Sequence, residues 1–239
     1  MDADRRPERV LVVTAHPDDV DFAAAGTVAQ WTSTGVDVRY CIITDGDAGG
    51  SDPSVPRVQM AATRRAEQTA AAAVLGVTDL TFLGYPDGRL VPSIELRRDI
   101  SRVIRTVRPD VVVCQSPERN WQSVYASHPD HLAAGEAAMA AVYPDARNEF
   151  AHPDLLLDGF APWAVGEVWV MAPPKPPNRT VDITDHFDQK LEALHCHVSQ
   201  HPDPAGLEGR LRPWNAANAE AGGLPEGRLA ELFLALDTA

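Results

Sequence analysis

Short apolar runs alternate along the chain with longer amphipathic or alanine-rich segments. The runs are rich in β-branched residues and predict buried strands, whereas the segments between them have helical spacing and often end at glycine. The predicted strands are residues 10–15, 36–44, 79–83, 110–115 and 167–172, and the predicted helices are residues 22–34, 57–75, 94–107, 132–142, 185–199 and 228–236. Strands that alternate with helices form parallel βαβ units. The pattern therefore predicts an α/β fold with a mostly parallel sheet flanked by helices.

Length and composition favour a single domain over residues 1–239. A chain of 239 residues with 44% hydrophobic content can bury one full core, because α/β domains commonly exceed 200 residues. The tail beyond about residue 201 mixes Pro, Gly and Ala, and we expect it to be irregular or helical.

Charge narrows the class of partner. The net charge is −13, and no cluster of Lys and Arg offers a surface for phosphates, which argues against nucleic acids and anionic membranes. No apolar run approaches the roughly 18 residues of a membrane span, and the charged first residues do not resemble a signal peptide. Three cysteines without CxxC spacing favour reduced thiols. We expect a cytoplasmic protein that acts on a small molecule. Its composition is compatible with a homo-oligomer.

The tripeptide His-Pro-Asp occurs four times, beginning at His16, His128, His152 and His201. Only the first two copies are followed by another metal-ligand residue, and both follow predicted strands, at whose carboxyl ends ligands gather in parallel sheets. The copies at His152 and His201 are interpreted as turns. The remaining histidines, His186, His195 and His197, are interpreted as surface or interhelix residues.

The two extended copies supply a ligand set for one metal ion. His16 and Asp19 are three residues apart, which brings their side chains to one side of a helical turn. With His131 they make the three protein ligands of a catalytic zinc site that keeps a position open for water. We expect one Zn²⁺ per chain, or another divalent first-row metal in its place. Zinc lowers the pKa of bound water from about 15.7 to about 7.

The other residues of the two motifs supply acid and base groups. Asp18 lies next to a ligand and is free to accept the proton of the attacking water. His128 is expected to stabilise the oxyanion of a tetrahedral intermediate. Asp130 is expected to orient His128 and to raise its pKa.

These motifs resemble the PIG-L/LmbE-like family of zinc-dependent N-acetylglucosaminyl deacetylases. The segments that carry the resemblance are AHPDD at 15–19, TDGDAGG at 44–50, FLGYPDG at 82–88, HPDH at 128–131 and HVSQ at 197–200. The resemblance implies a Rossmann-like sheet and removal of an N-acyl group, commonly acetate, from an N-acetylglucosamine derivative. It also implies a metal bound by His16, Asp19 and His131, with Asp18 as the base and His128 paired with Asp130.

Other positions are less specific. The resemblance places Asp47, Arg64 and Asp87 where family members contact or frame the sugar, and each is equally well interpreted as a helix-surface ion pair or a loop cap. Arg119 and Asn120, just before the second motif, are candidate pocket residues. The chain departs from the family pattern at Val20, where many relatives have Glu. It departs again at Ala126, where some relatives have a Tyr that here stands one residue earlier, at Tyr125.

The sequence thus predicts a hydrolase that removes an N-acetyl or related N-acyl group from a small amino-sugar conjugate. One alternative is an amidase that cleaves a larger thiol- or sugar-conjugate amide. A second is a non-catalytic protein that binds a sugar or phosphate on the same fold. Asp18 argues against the second alternative, because a structural metal site closes its coordination and needs no adjacent base.

Overall fold

The computed structural model describes residues 6–201 and 203–238. In this part of the chain seven strands form one sheet in the order β3, β2, β1, β4, β5, β7, β6. The strands are β1 (Arg9–Thr14), β2 (Asp37–Thr44), β3 (Leu80–Tyr85), β4 (Val111–Gln115), β5 (Glu167–Met171), β6 (Arg179–Asp182) and β7 (Ala230–Asp237). The helices are α1 (Asp19–Ser33), α2 (Arg57–Val74), α3 (Ile94–Val107), α4 (Pro129–Ala140), α5 (Pro153–Leu157), α6 (Phe187–His195) and α7 (Pro204–Ala221). None of the helices described has both the length and the apolar character needed to cross a membrane.

Most of the sheet is parallel, as predicted. β1 pairs in parallel with both β2 and β4, β2 with β3, and β4 with β5. At the other end, β7 runs antiparallel to both β5 and β6. The predicted α/β class with a mostly parallel, helix-flanked sheet is confirmed.

Helices cover both faces of the sheet, so the central strands are apolar on both sides. Successive residues of β1 alternate between two cores, with Leu11 and Val13 on one face and Val10 and Val12 on the other. Helices α3 and α4 pack on the first face, and α1 and α2 pack on the second. This double coverage leaves the ends of the strands as the place for a site.

The prediction of a helix at residues 228–236 is wrong, because this segment forms β7. Ala, Glu and Leu dominate it and favour a helix in isolation, but the backbone pairs on both sides, with β5 and with β6. Pairing and burial decide strand formation more than local propensity does. Strand β6 was not predicted, whereas helix α7 lies in the tail that was expected to be irregular or helical. With β6 and β7 the carboxyl-terminal segment completes the sheet.

Helices α1 and α4 begin about three residues earlier than predicted. Asp18 takes the N-cap position of α1 with a positive φ of 87°. Pro129 occupies the first turn of α4, behind an N-cap at His128, and proline is favoured there because its fixed φ suits the helix. Each motif therefore lies at the N-terminus of a helix. The first follows β1 and the second follows β4, and these two strands are neighbours in the sheet.

Candidate active site

The candidate site lies over the carboxyl ends of β1 and β4, which are adjacent in the sheet. His16 follows β1 by two residues, and the Ala15 N–H donates to the Gln115 side-chain oxygen at 2.9 Å. This bond ties the loop after β1 to the end of β4. The two motifs, more than a hundred residues apart in sequence, thus meet at one edge.

Helix α4 approaches this edge closely because it has a glycine at the contact. A Cβ at Gly135 would lie 2.5 Å from the Gln115 carbonyl oxygen, which is closer than van der Waals contact allows. The absent side chain lets the first turn of α4, and with it His131, come next to His16.

The structure brings His16, Asp19 and His131 together. The His16 Nδ1 atom is 3.3 Å from His131 Nε2. The two Asp19 carboxylate oxygens lie 3.0 Å from His131 Nε2 and 3.4 Å from His16 Nδ1. Two ring nitrogens and a carboxylate facing one another are the donor set expected for zinc.

The electrostatics of this cluster suit a cation. Burial opposes a charge on His16, but the surrounding carboxylates of Asp19, Asp130 and Asp87 outweigh it and raise the pKa of the imidazole to about 12. Burial likewise opposes ionisation of Asp19, yet His131 and His16 lower the pKa of its carboxyl. The carboxylates thus create a negative potential that a proton or a metal ion can neutralise.

His128 lies beside the same cluster and makes a second ligand set geometrically possible. Its ring centroid is 5.0 Å from that of His16 and 5.2 Å from that of His131. Ligand atoms of these three histidines lie within 4.8 Å of one another. Distances alone therefore allow either Asp19 or His128 as the third ligand.

The hydrogen bond that His128 makes favours one of the two possibilities. Its Nδ1 accepts the Asp130 backbone N–H at 3.2 Å, so in the neutral ring the proton resides on Nε2. A protonated nitrogen donates a hydrogen bond and cannot bind a metal. This tautomer favours His16, Asp19 and His131 as ligands and His128 as a donor.

The Asp130 carboxylate, which was predicted to pair with His128, makes its hydrogen bonds to other groups. The fully buried Asp130 carboxylate accepts from His16 Nε2 at 3.2 Å, from the Gly88 N–H at 2.6 Å and from the Leu90 N–H at 3.1 Å. The start of α4 turns this side chain inward, toward the loop after β3 and away from His128. The carboxylate thus orients a candidate metal ligand, as carboxylates commonly do for ligating histidines.

The pKa expected for His128 also differs. Burial and the positive charges of His16 and His131 lower it, and Asp130 and Asp19 only partly oppose them. A neutral His128 therefore predominates near pH 7, and its Nε2–H remains available as a donor.

Asp87, like Asp130, contacts His16 Nε2. The sequence predicted Asp87 to lie at the sugar. Its Oδ1 is 3.0 Å from His16 Nε2, and its Oδ2 accepts the Ala48 N–H at 3.0 Å. Burial raises its pKa, but His16 and Ala48 outweigh this and lower it. Asp87 and Asp130 with His16 form a second acidic group around Nε2, but backbone N–H groups already occupy these carboxylates.

Asp18 lies next to the donor cluster but is held by other partners. Its backbone N–H donates to the Gln68 side chain at 2.7 Å, and its Oδ2 is 3.1 Å from Arg64 Nη2. The backbone of Asp18 is left-handed, a conformation that Asp tolerates better than most residues. Asp18 is thus a partly exposed carboxylate that does not belong to the ligand set.

Arg64 is buried and braces two loops. It donates to the Pro17 carbonyl at 2.5 Å and to the Gly46 carbonyl at 3.2 Å. A Cβ at Gly46 would overlap the guanidinium, and one at Gly49 would lie 2.7 Å from it. The glycine-rich loop is therefore needed to fit against Arg64. The contacts of Arg64 indicate that it positions Asp18 and favour this role over the predicted contact with the sugar.

Of the remaining predicted substrate contacts, Asp47 is half-buried and accepts the Asp87 N–H at 3.2 Å, whereas Arg119 is at the surface. Asp47 accepts from Arg57 at 2.6 Å, the ion pair that was the alternative interpretation. Arg119 is exposed, with its guanidinium 5.9 Å from the centroid of the Trp121 ring. Tyr125 is fully exposed.

A buried chain of polar groups lies behind Asp18 and was not predicted. His197 is fully buried, and its Nε2 is 2.8 Å from Asp21 Oδ2. The same oxygen accepts from Gln68 at 2.9 Å, and Gln68 in turn accepts the Asp18 N–H. Burial opposes protonation of His197, but Asp21 outweighs it and raises its pKa. The HVSQ segment was the signal in the sequence that pointed here.

The two other His-Pro-Asp copies differ from each other. His152 caps the short helix α5 and lies 3.2 Å from Asp145, as expected for a turn. His201 instead lies in the candidate site, with Nε2 3.7 Å from Asp18 Oδ2 and its ring packed on Phe22. Its interpretation as a turn alone is therefore incomplete.

Comparison with known proteins places these features in a family. A model of the PIG-L (GlcNAc-PI de-N-acetylase) family matches residues 11–142. A diacetylchitobiose deacetylase of Thermococcus kodakarensis is 35% identical over 82% of this chain and 71% of its own. A probable N-acetyl-alpha-D-glucosaminyl L-malate deacetylase 2 of Bacillus anthracis is 33% identical over 82% of this chain and 83% of its own.

A solved structure agrees over nearly the whole fold. The N,N'-diacetylchitobiose deacetylase from Pyrococcus horikoshii, complexed with its inhibitor MPG, superposes with a TM-score of 0.88 and 32% identity. The match covers 97% of this chain and 84% of that one. The predicted family is confirmed, and this chain belongs to the PIG-L family of deacetylases.

Proposed function

We propose that this protein is a zinc-dependent hydrolase that removes an N-acetyl group from a small amino-sugar conjugate. The observation that carries the proposal is the cluster of His16, Asp19 and His131 with a second carboxylate, Asp18, held separately beside it. The relatives named above act on diacetylchitobiose and, in one case, probably on an N-acetylglucosaminyl malate, which indicates the class of substrate.

The donor set fits a divalent cation of the zinc type. Two imidazoles and one carboxylate are ligands that zinc prefers, and three protein ligands leave a position for water or substrate. When bound, zinc polarises a carbonyl group and lowers the pKa of water to about 7. The carboxylates of Asp130 and Asp87 contact His16 Nε2, so that Nδ1 faces His131 and Asp19, the residues that would hold the ion with it.

The side chains around this position supply the proton transfers. The Asp18 carboxylate takes a proton from water as the water oxygen bonds to the acetyl carbonyl carbon. The Nε2–H of His128 donates a hydrogen bond to the carbonyl oxygen as that oxygen gains negative charge. Asp18 then gives its proton to the sugar nitrogen as the C–N bond breaks, so the products are acetate and a free amine.

The test is acetate release by the purified full-length chain. We expect about one zinc per chain by elemental analysis, and release of acetate from N-acetylglucosamine or N,N'-diacetylchitobiose. A chelator should abolish the release and added Zn²⁺ should restore it. A protein loaded with zinc that releases no acetate from any N-acetylated amino sugar would refute the proposal.

A further inference from the structure

Helix α2 holds Asp18 through two residues that are one turn apart. Arg64 lies against the Asp18 carboxylate, with Nη2 3.1 Å from Oδ2. Gln68 is four residues later and so on the same face of the helix, where its Oε1 accepts the Asp18 backbone N–H at 2.7 Å. Gln68 is fully buried. The helix thus contacts both the backbone and the side chain of the proposed base.

The backbone of Asp18 has a conformation that its neighbours must hold in place. Its φ of 87° and ψ of −23° are left-handed, and residues other than glycine seldom adopt this conformation. It persists where the surrounding structure over-determines it. The Asp18 N–H precedes the first turn of α1, where backbone N–H groups have no partner within the helix. The hydrogen bond to Gln68 therefore fixes the direction of this peptide group.

Asp21 and His197 determine which end of the Gln68 amide faces Asp18. Gln68 Nε2 donates to Asp21 Oδ2 at 2.9 Å, and the same oxygen lies 2.8 Å from His197 Nε2. An ionised carboxylate can only accept hydrogen bonds, so it selects the amide nitrogen and leaves Oε1 for the Asp18 N–H. If the amide were reversed, two donors would face each other at Asp18. Asp21 and His197 are fully buried, so solvent does not compete for these bonds.

The turn that carries His197 is joined to the same helix. Ser199, two residues later, donates to Glu67 through both its N–H and its hydroxyl at 2.7 Å, and Glu67 is the neighbour of Gln68 in α2. This turn is the HVSQ segment at 197–200. The proposed metal binding and proton transfers do not use it, so its place behind Asp18 calls for another role.

We propose that Gln68 is a positioning residue, which holds Asp18 within reach of the attacking water, and that Asp21 and His197 keep its amide in the required orientation. The inference rests on the proposed deacetylase function, in which Asp18 is the base. Because Gln68 acts through Asp18, its loss should lower kcat and leave KM and zinc binding unchanged. A displacement of about 1 Å in a reacting group can cost about 10²-fold in rate.

The experiment measures kcat, KM and zinc content of Gln68→Met, which keeps the length of the side chain and loses both amide bonds. We expect kcat for acetate release from N,N'-diacetylchitobiose to fall by about 10–100-fold, with the other two quantities unchanged. The matched control is Gln189→Met on α6, where the Gln189 oxygen lies 2.8 Å from His186 Nδ1. This control should keep the full kcat, and a Gln68→Met protein with the full kcat would overturn the proposal.

A double-mutant cycle separates positioning of Asp18 from a general loss of structure. An Asp18→Asn protein has no base to position, so the further change Gln68→Met should alter its residual kcat by less than about twofold. If Gln68→Met lowers kcat by the same factor in both backgrounds, Gln68 acts independently of Asp18 and the proposal is wrong.

Two variants of His197 test the other end of the chain of hydrogen bonds. His197→Phe keeps a buried ring but cannot donate to Asp21, and kcat should fall. His197→Gln can donate to Asp21 and should recover most of the lost rate. Full activity of His197→Phe would remove His197 from the proposal. This pair also tests the network if Gln68→Met does not fold.

Crystal structures separate failure of the positioning role from failure of the proposed function. If the wild-type protein releases no acetate from any N-acetylated amino sugar, the function is refuted and the structure of Gln68→Met decides on the positioning role. A displaced Asp18, with φ far from the 87° of the wild type and with His16, Asp19 and His131 in place, would support it. An Asp18 that keeps its position would refute both.

Discussion

The imidazole of His201 lies 3.7 Å from the carboxylate of Asp18, although the two residues are far apart in the chain. The turn that carries His201 is anchored on α2, where the Ser199 N–H and hydroxyl each donate to Glu67 at 2.7 Å. The buried His197 lies at the start of the same turn. Asp18 is therefore enclosed by a segment that local sequence patterns did not connect with it.

Asp18→Asn should keep the metal and lose the reaction. Asn tolerates a positive φ and preserves the shape of the side chain, but it cannot accept the proton. We expect kcat to fall by about 10²–10⁴-fold, with zinc content by elemental analysis unchanged. Asp79→Asn, at a surface ion pair with Arg39, is the control and should remain fully active. Full activity of Asp18→Asn would exclude Asp18 as the base.

Variants of the two histidines on α4 should distinguish the possible ligand sets. His131→Ala removes a proposed ligand and should lose the zinc. His128→Ala removes a proposed donor and should retain zinc while kcat falls by about 10²–10³-fold. Metal content and acetate release measured on both proteins test this. Loss of zinc from His128→Ala, with zinc retained by Asp19→Ala, would establish the three-histidine set instead.

Asp130→Asn should weaken metal binding, because Asp130 orients His16. Removal of a carboxylate that supports a ligating histidine typically costs about 10–100-fold in metal affinity. Competition with a chromophoric chelator measures the dissociation constant for zinc. If Asp130 instead acted on His128, the affinity for zinc would be unchanged and only kcat would fall.

The ion pair of His197 and Asp21 should stabilise the fold in a pH-dependent way. The pKa of His197 is raised in the folded state, so the contribution is complete below the pKa of the unfolded chain, about 6.5. It is lost as pH rises through the folded pKa. His197→Ala leaves the buried Asp21 unpaired and should lower the free energy of unfolding by about 3–5 kcal/mol near pH 6.

Chemical denaturation of wild type and His197→Ala across pH 5.5–9 measures that difference. It should shrink toward the alkaline end of the range. A difference that grows with pH would mean that His197 is neutral in the folded protein at pH 6.

Two helical glycines should respond in opposite ways to alanine. Gly135→Ala places a methyl group against the Gln115 carbonyl and should destabilise the protein by about 1–3 kcal/mol, with weaker zinc binding because α4 carries His131. A methyl group at Gly209 of α7 would meet no described atom within 4 Å, so Gly209→Ala should be neutral or stabilise by up to about 1 kcal/mol. Denaturation midpoints test both, and equal effects would contradict the close packing of α4.

Patterns within a few residues were sufficient for much of the fold and for the inventory of the site. The spacing of His16 and Asp19, and of His128 and His131, is local, and so is the periodicity of the apolar runs in β1, β2 and β4. These patterns predicted the class of fold, the segments of the chain that form the parallel strands, and the residues that lie together in the candidate site. They also predicted a family that the comparisons confirm.

The tertiary structure decided which groups contact each other. Residues 228–236 favour a helix locally but become a strand because β5 and β6 pair with them. Asp130 binds His16 rather than His128 because two backbone N–H groups, contributed by a distant loop, fix its carboxylate. His201 lies beside Asp18 because its turn is held on α2 by the hydrogen bonds of Ser199 to Glu67. Sequence determines which donors and acceptors exist, but their partners depend on long-range packing, where burial forces each polar group to find a bond.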